Sequence, residues 1–227
     1  MSSTPSCIGV ILDGNRRYAK ERGLPSFEGH RRGFERTKEL LEWAQDAGIH
    51  DVILYAFSTE NWNRSPEEVA YLMDLYEEFA NTWAATVKER KGRIRFIGEL
   101  SRFRDSLQKK MRLLEEETKE NTAYCVWVCL SYGGRAEILA AVNRLLENGA
   151  QGPIDENEFR AHMWSAEMPD PDLIMRTSGE HRLSNFLTWQ SVYSELFFPK
   201  PHLPALTKAD FDAVLEEYAA RERRHGK

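Results

Sequence analysis

Three cysteines in 227 residues, Cys7, Cys125 and Cys129, form no CxxC pair and leave one over, so neither a disulfide framework nor a zinc site organises this chain. No run of about 18 apolar residues occurs, and the N-terminal MSSTPSCIGVILDGN has no basic region and no long apolar core, which argues against a membrane span and a secretory signal. Positive charge is not in excess either. The 31 Lys+Arg stand against 36 Asp+Glu, a net charge of −5, so no nucleic-acid partner is expected and any anion site must be local. Neither GxGxxG nor a P-loop pattern is present, which disfavours a nucleotide fold. Repeats and low-complexity linkers are also missing, and NGAQGP at 148–153 reads as a loop within one domain. At 41% hydrophobic the chain can fill one sizeable core, and a single cytosolic domain over residues 1–227 is expected.

What is there is alternation. Short apolar runs at Ile8–Leu12, Val52–Phe57, Ile94–Ile97, Tyr124–Leu130 and Leu173–Met175 read as strands of an α/β fold, a mostly parallel central sheet flanked by helices. Helical periodicity fills the gaps from about Arg32 to Ala47, from Pro66 to about Arg90, and over Phe103–Lys119, Arg135–Leu146 and Lys208–Arg224. Ser65, Pro66 and Glu68 make a capping-box start for the second of these.

In a parallel sheet the loops at the carboxyl ends of the strands converge, and the polar motifs fall there. After the first strand come Asp13, Gly14, Asn15, Arg16 and Arg17. Gly14 lets backbone approach a ligand, the helix start offers free N–H groups to an anion, and Asp13 adds a carboxylate where Mg²⁺ would sit beside a diphosphate. A plain strand-to-helix turn with a capping Asp is the alternative. Ser58 to Arg64 follows the second strand, Ser131 to Arg135 the fourth, and Arg176 to Asn185 the fifth. The last segment, with two arginines, three hydroxyls and a glycine, suits a second diphosphate.

These strings carry a resemblance: LDGNRRYAK at 12–20, Gly29-His30, LYAFSTENWNR at 54–64, IGELSR at 97–102, SYGGR at 131–135, PDLIMRTSGEHRLSNFLTWQSVYSELFF at 171–198 and RERRHG at 221–226. In order and spacing the chain resembles the cis-prenyltransferases of the undecaprenyl diphosphate synthase family. The resemblance implies a homodimeric enzyme with an apolar tunnel. Such an enzyme extends an allylic diphosphate, with farnesyl diphosphate the expected primer, by isopentenyl diphosphate, forming a Z double bond with Mg²⁺ as cofactor. The expected product is undecaprenyl diphosphate, a lipid-carrier precursor; a shorter Z-prenyl diphosphate is the alternative. By similarity Asp13 handles the metal, with Glu195 and His181 as further ligands. Gly14, Asn15, Arg16, Arg17, Tyr18 and His30 surround the allylic diphosphate, while Arg176, Arg182, Leu183 and Ser184 hold isopentenyl diphosphate. Ser58, Thr59, Glu60, Trp62 and Arg64 form the closing loop. Asn61 stands where the family abstracts a proton, but a neutral amide is too weak a base, so it orients substrate while a diphosphate oxygen takes the proton.

Trans-prenyltransferases use DDxxD motifs, and none occurs here. An accessory subunit without chemistry would lack Asp13 and the ENW segment, and both are present, as is the terminal Arg224-His225-Gly226. Departures from the family pattern are Cys7, Tyr18, Ser131, Leu203-Pro204-Ala205 and, most consequentially, Ser26 where a basic residue is usual; Arg16 is the candidate replacement charge. Tyr124, Trp127, Tyr132, Phe79 and Trp83 read as core packing, or alternatively as the floor of a shortened tunnel. With no lipidation signal or basic amphipathic helix, the expectation is a cytoplasmic enzyme touching the membrane surface transiently to release product.

Overall fold

Chain order runs β1 (Cys7–Ile11), α1 (Asn15–Glu21), α2 (Ser26–Asp46), β2 (Asp51–Ser58), a 3₁₀ turn (Thr59–Asn63), α3 (Pro66–Glu89), β3 (Gly92–Ile97), α4 (Asp105–Thr118), β4 (Tyr124–Tyr132), α5 (Gly134–Glu147), α6 (Glu156–Ala161), β5 (Leu173–Arg176), β6 (Glu195–Phe197) and α7 (Lys208–Ala220). The structure is a computed structural model that describes residues 4–221, apart from the side chains of residues 82–86 and 88. The side chain of Trp83, the Arg224-His225-Gly226 motif and the end of the helix expected to reach Arg224 lie outside the described residues. The strands form one sheet in the order β3-β4-β2-β1-β5-β6, every pair parallel. β4 is buried at all nine positions, which is why it reads as an unbroken apolar run.

Alternation along the strands sorts the core. Ile8, Val10, Val52, Leu54, Ile94, Phe96, Val126 and Val128 face a cluster with residues of α2, α3, α4 and α7. Ile11, Ile53, Tyr55, Ile97, Trp127 and Cys129 face the other way, against Phe186 and Leu187. All three cysteines are buried free thiols, and burial pushes each thiol pKa up, so they stay unreactive.

Three short elements, α1, α6 and β6, escape the periodicity because each is at most seven residues long. α2 begins at Ser26, well before the expected Arg32. Pro25 sets its entry angle, and Gly29, which looks like a breaker, lies within the helix where α1 crosses it. A Cβ on Gly29 would stand 2.1 Å from the Asn15 carbonyl oxygen. Gly29→Ala should therefore lower stability by about 1–3 kcal/mol through overpacking, in place of the gain of about 1 kcal/mol that Gly to Ala brings inside a helix. A thermal melt shifted upward would show that the two helices can part without cost.

Candidate active site

Asp13 leaves β1 beside Thr177, which leaves β5. Thr177 Oγ1 accepts from the Asp13 N–H at 2.9 Å and lies 2.7 Å from the Asp13 carbonyl, so the two turns are stitched together at the carboxyl ends of paired strands. Asp13 Oδ1 accepts from the Gly14 N–H at 2.7 Å. Its Oδ2 takes Arg176 Nη2 at 2.7 Å and Nε at 3.2 Å, and Arg17 Nη2 at 2.9 Å. Burial opposes ionisation, but hydrogen bonds from Arg176 and then Arg17 outweigh it and hold the Asp13 carboxyl below the usual carboxylate range. Arg176, only 5% exposed, also gives Nη1 to the Arg182 carbonyl and to Ser184 Oγ, both at 2.7 Å. Glu180 bridges Arg17 and Arg182 on the outside.

A second charge cluster forms at the start of α3. Ser65 Oγ accepts from the Glu68 N–H at 3.3 Å, as the capping pattern implied. The Glu68 carboxylate gathers Arg64 at 3.0 Å, His30 at 3.1 Å and Arg16 at 3.5 Å. Burial, against the pull of Glu68, pushes the His30 pKa down, leaving a neutral imidazole at pH 7. In the 3₁₀ turn, Asn61 Oδ1 accepts from the Ser58 N–H at 3.1 Å. Trp62 points away from the site: its Nε1 donates to Ser131 Oγ at 2.9 Å, and its ring packs on Phe57 and Phe103.

Both clusters open on a cavity of about 570 Å³. Its rim carries Asp13, Asn15, His30, Ser58, Glu60, Asn61, Arg64, Arg176 and Ser184, and its wall is apolar, with Leu54, Phe96 and Val128 from the sheet, Phe34 from α2 and Leu72, Leu75 and Phe79 from α3. A charged rim above an apolar pocket fits a molecule with an anionic head and a hydrocarbon tail. Residues 11–226 match the prenyltransferase family model described as "Putative undecaprenyl diphosphate synthase". The chain belongs to the undecaprenyl diphosphate synthase family. It is 43% identical over 225 residues to the isoprenyl transferase of Thermotoga maritima, covering 98% of this chain and 97% of that one. To the tritrans,polycis-undecaprenyl-diphosphate synthase (geranylgeranyl-diphosphate specific) of Thermoplasma volcanium it is 41% identical over 230 residues, 98% and 89% of the two chains. The crystal structure of lavandulyl diphosphate synthase from Lavandula x intermedia, in complex with dimethylallyl diphosphate, superposes with a TM-score of 0.94 at 33% identity over 99% of each chain.

Within this member of the undecaprenyl diphosphate synthase family, the expected site residues divide. Gly14, Arg17 and Arg182 stand one contact behind the rim, and Thr59 hydrogen-bonds Glu60 at 3.1 Å. Arg16 reaches the rim cluster through Glu68, and Ser26 opens α2. Tyr18 is buried under the Arg22 guanidinium, and Leu183 packs on the cluster opposite the cavity. The three expected metal ligands do not meet. Glu195 is in register with Leu173, at the far end of β5 from Arg176, and pairs with Arg221 at 2.6 Å; exposed His181 stacks on Phe198. Among the described residues no group of three His, Cys, Asp or Glu side chains could hold a metal.

The tunnel floor is likewise redrawn. Trp127 faces the opposite side of the sheet, donating to Asp51 Oδ1 at 2.7 Å. Ser131, at φ +48, breaks the alternation, so Tyr132 turns away as well and donates to Glu137 Oε2 at 2.6 Å. Of the described candidates, Phe79 alone lines the cavity. Sequence reading missed Thr177 and Glu68, whose importance lies in what converges on them from other elements rather than in a motif of their own.

Proposed function

We propose that this cis-prenyltransferase joins isopentenyl diphosphate to an allylic diphosphate in an Mg²⁺-dependent reaction to give a Z-polyprenyl diphosphate. The observation that carries the reading is the charged rim, Asp13 and Arg176 with Arg17 behind them on one side and the Glu68 cluster on the other, at the mouth of an apolar cavity. A carbon–carbon bond forms as the allylic C–O bond breaks, and the electrons of that bond leave with the diphosphate. In this reading Arg17 and the N–H groups at the start of α1, beside Asp13, answer the charge that develops on the departing diphosphate, while Arg176 and Ser184 receive isopentenyl diphosphate. The Asn61 amide, fixed by the Ser58 N–H, orients the isopentenyl group while a diphosphate oxygen takes its proton. Mg²⁺ is commonly held through one or two carboxylates together with substrate phosphates; the ionised Asp13 carboxylate at the rim fits that demand and would hold it. When bound, the ion would neutralise charge on the departing diphosphate.

Relatives differ in primer: one is named as specific for geranylgeranyl diphosphate, and a structural neighbour holds dimethylallyl diphosphate. Farnesyl diphosphate lies between them in length and is the primer we propose here. An undecaprenyl product is the first reading for length. A cavity in the range of a single drug-sized ligand, with Phe34 and Phe79 edge to face across its wall at 5.6 Å, favours a shorter one. Homodimer formation is supported by α5, which leaves Leu139, Val142 and Leu146 exposed along one stripe. Among the described residues no helix is long and apolar enough to cross a membrane; a cytoplasmic enzyme with transient membrane contact fits an apolar product.

The test is incubation of the purified protein with Mg²⁺, labelled isopentenyl diphosphate and, in parallel, dimethylallyl, geranyl and farnesyl diphosphates. A ladder of Z-polyprenyl diphosphates is expected, and no incorporation with any primer would overturn the reading. In the same assay Phe79→Ala should lengthen the product and Trp127→Ala should leave its length unchanged.

A further inference from the structure

We propose that Asn185 is a positioning residue: it fastens the Thr59–Asn63 turn to the phosphate-binding segment after β5, so that occupation of Arg176 and Ser184 and closure of Asn61 over the substrate become one event. This rests on the reading above, in which Arg176 and Ser184 receive isopentenyl diphosphate.

The segment around Asn185 is wound unusually. Ser184, Asn185 and Leu187 have φ of +49, +67 and +46, a left-handed conformation that side chains other than glycine adopt only where surroundings enforce it. Enforcement comes from Phe186, fully buried and stacked on Tyr55 at 4.6 Å, and from the Tyr55 hydroxyl, which donates to the Ser184 carbonyl at 3.2 Å. That winding aims Ser184 Oγ at Arg176 Nη1, 2.7 Å away, and sends the Asn185 side chain the other way. Asn185 Nδ2 donates to Glu60 Oε1 at 3.0 Å. Its Oδ1 accepts from the Arg135 N–H at 2.9 Å, and its carbonyl from the Gly134 N–H at 2.7 Å. One residue therefore holds the closing turn, the start of α5 and the phosphate segment together.

The residue type follows from these demands. Left-handed backbone selects Asn, Asp or Gly. A donor toward the Glu60 carboxylate excludes Asp, and an acceptor for the Arg135 N–H excludes Gly. Space is cleared from the facing side: a Cβ on Gly133 would stand 2.6 Å from Asn185 Nδ2 and 2.7 Å from Thr59 Oγ1, so the first glycine of SYGGR is what lets the two segments touch.

Asn185→Asp tests this without disturbing the fold, because Asp accepts the same backbone geometry and keeps the bond to Arg135 while repelling Glu60. It should raise KM for isopentenyl diphosphate and lower kcat/KM about tenfold or more, the loss of one charge-assisted hydrogen bond, with KM for the allylic primer little changed. Combining it with Glu60→Gln restores the bond with donor and acceptor exchanged and should recover most of that loss. A second readout needs no turnover: inorganic diphosphate should slow amide hydrogen exchange over residues 58–64 in the wild type and not in Asn185→Asp. Kinetics of Asn185→Asp equal to wild type, additive losses in the double variant, or equal exchange protection in both proteins would each overturn the proposal. If the wild type transfers no isoprenyl unit yet shows the exchange difference, the reaction assigned to the site is wrong and the coupling stands.

Discussion

Asp13→Asn should abolish all but about a hundredth or less of turnover, the scale of losing a preorganised charge at a reacting centre. The amide keeps the shape of the carboxylate but gives up the charge that holds Arg17 and Arg176 together and the oxygen offered to a cation. Stability should change in a pH-dependent way. The folded carboxyl sits below its ordinary value because hydrogen bonds from Arg176 and Arg17 outweigh the effect of burial. For a depressed carboxyl, the stabilisation is fully present above the unfolded pKa of about 3.9 and fades as pH falls through the folded pKa. The wild type should thus lose stability through that acid window, and Asp13→Asn should lose less there while starting lower at neutral pH. Turnover measured with Mg²⁺ and thermal melts from pH 7 down to about 3 would read both effects; near-normal turnover in the variant would remove Asp13 from the chemistry.

Arg176→Lys should be nearly as damaging although it keeps the charge. One guanidinium serves Asp13 twice, the Arg182 carbonyl and Ser184 Oγ; a single ammonium with three donors has neither the reach nor the planar fork to replace it. With Arg176 only 5% exposed, acceptors left unpaired cost about 1–3 kcal/mol in stability. The kinetic mark should be a KM for isopentenyl diphosphate raised at least about tenfold, with the primer affected less. Equal changes in both KM values would place Arg176 on the allylic side instead.

Much of this architecture is legible in the sequence because burial on both faces leaves the central strands as plain apolar runs, and because parallel strands put their following loops at one edge. That reasoning brings Asp13 and Arg176 together before any geometry is known. It fails where local backbone departs from the period. Tyr132 sits two residues past Leu130 on the same strand, yet the left-handed Ser131 turns its ring to the other side of the sheet, and Trp127 was on that side by simple alternation. Glu195 shows a different failure: the three-residue strand it opens is too short to announce itself, and only register tells which end of the sheet the residue occupies. Glu68 and Asn185 are invisible for a third reason. Each is an ordinary helix-start or loop residue whose partners come from two or three distant segments.

β1 lies between β2 and β5, and this placement bears on how the molecule comes into being. Asp13 and Arg176 are separated by 163 positions. At ~5–20 residues per second of synthesis, β1 can find β2 early but waits on the order of ten seconds for β5 to emerge. Through that interval one edge of a wholly apolar strand has no neighbour, the situation in which growing chains aggregate, and the aspartate of the turn has no arginine from the end of β5 to face. The charge cluster is thus a clasp that shuts late, so a nascent chain already bearing the DGN turn lacks the arginine half of its site until Arg176 of the 227 residues has been made.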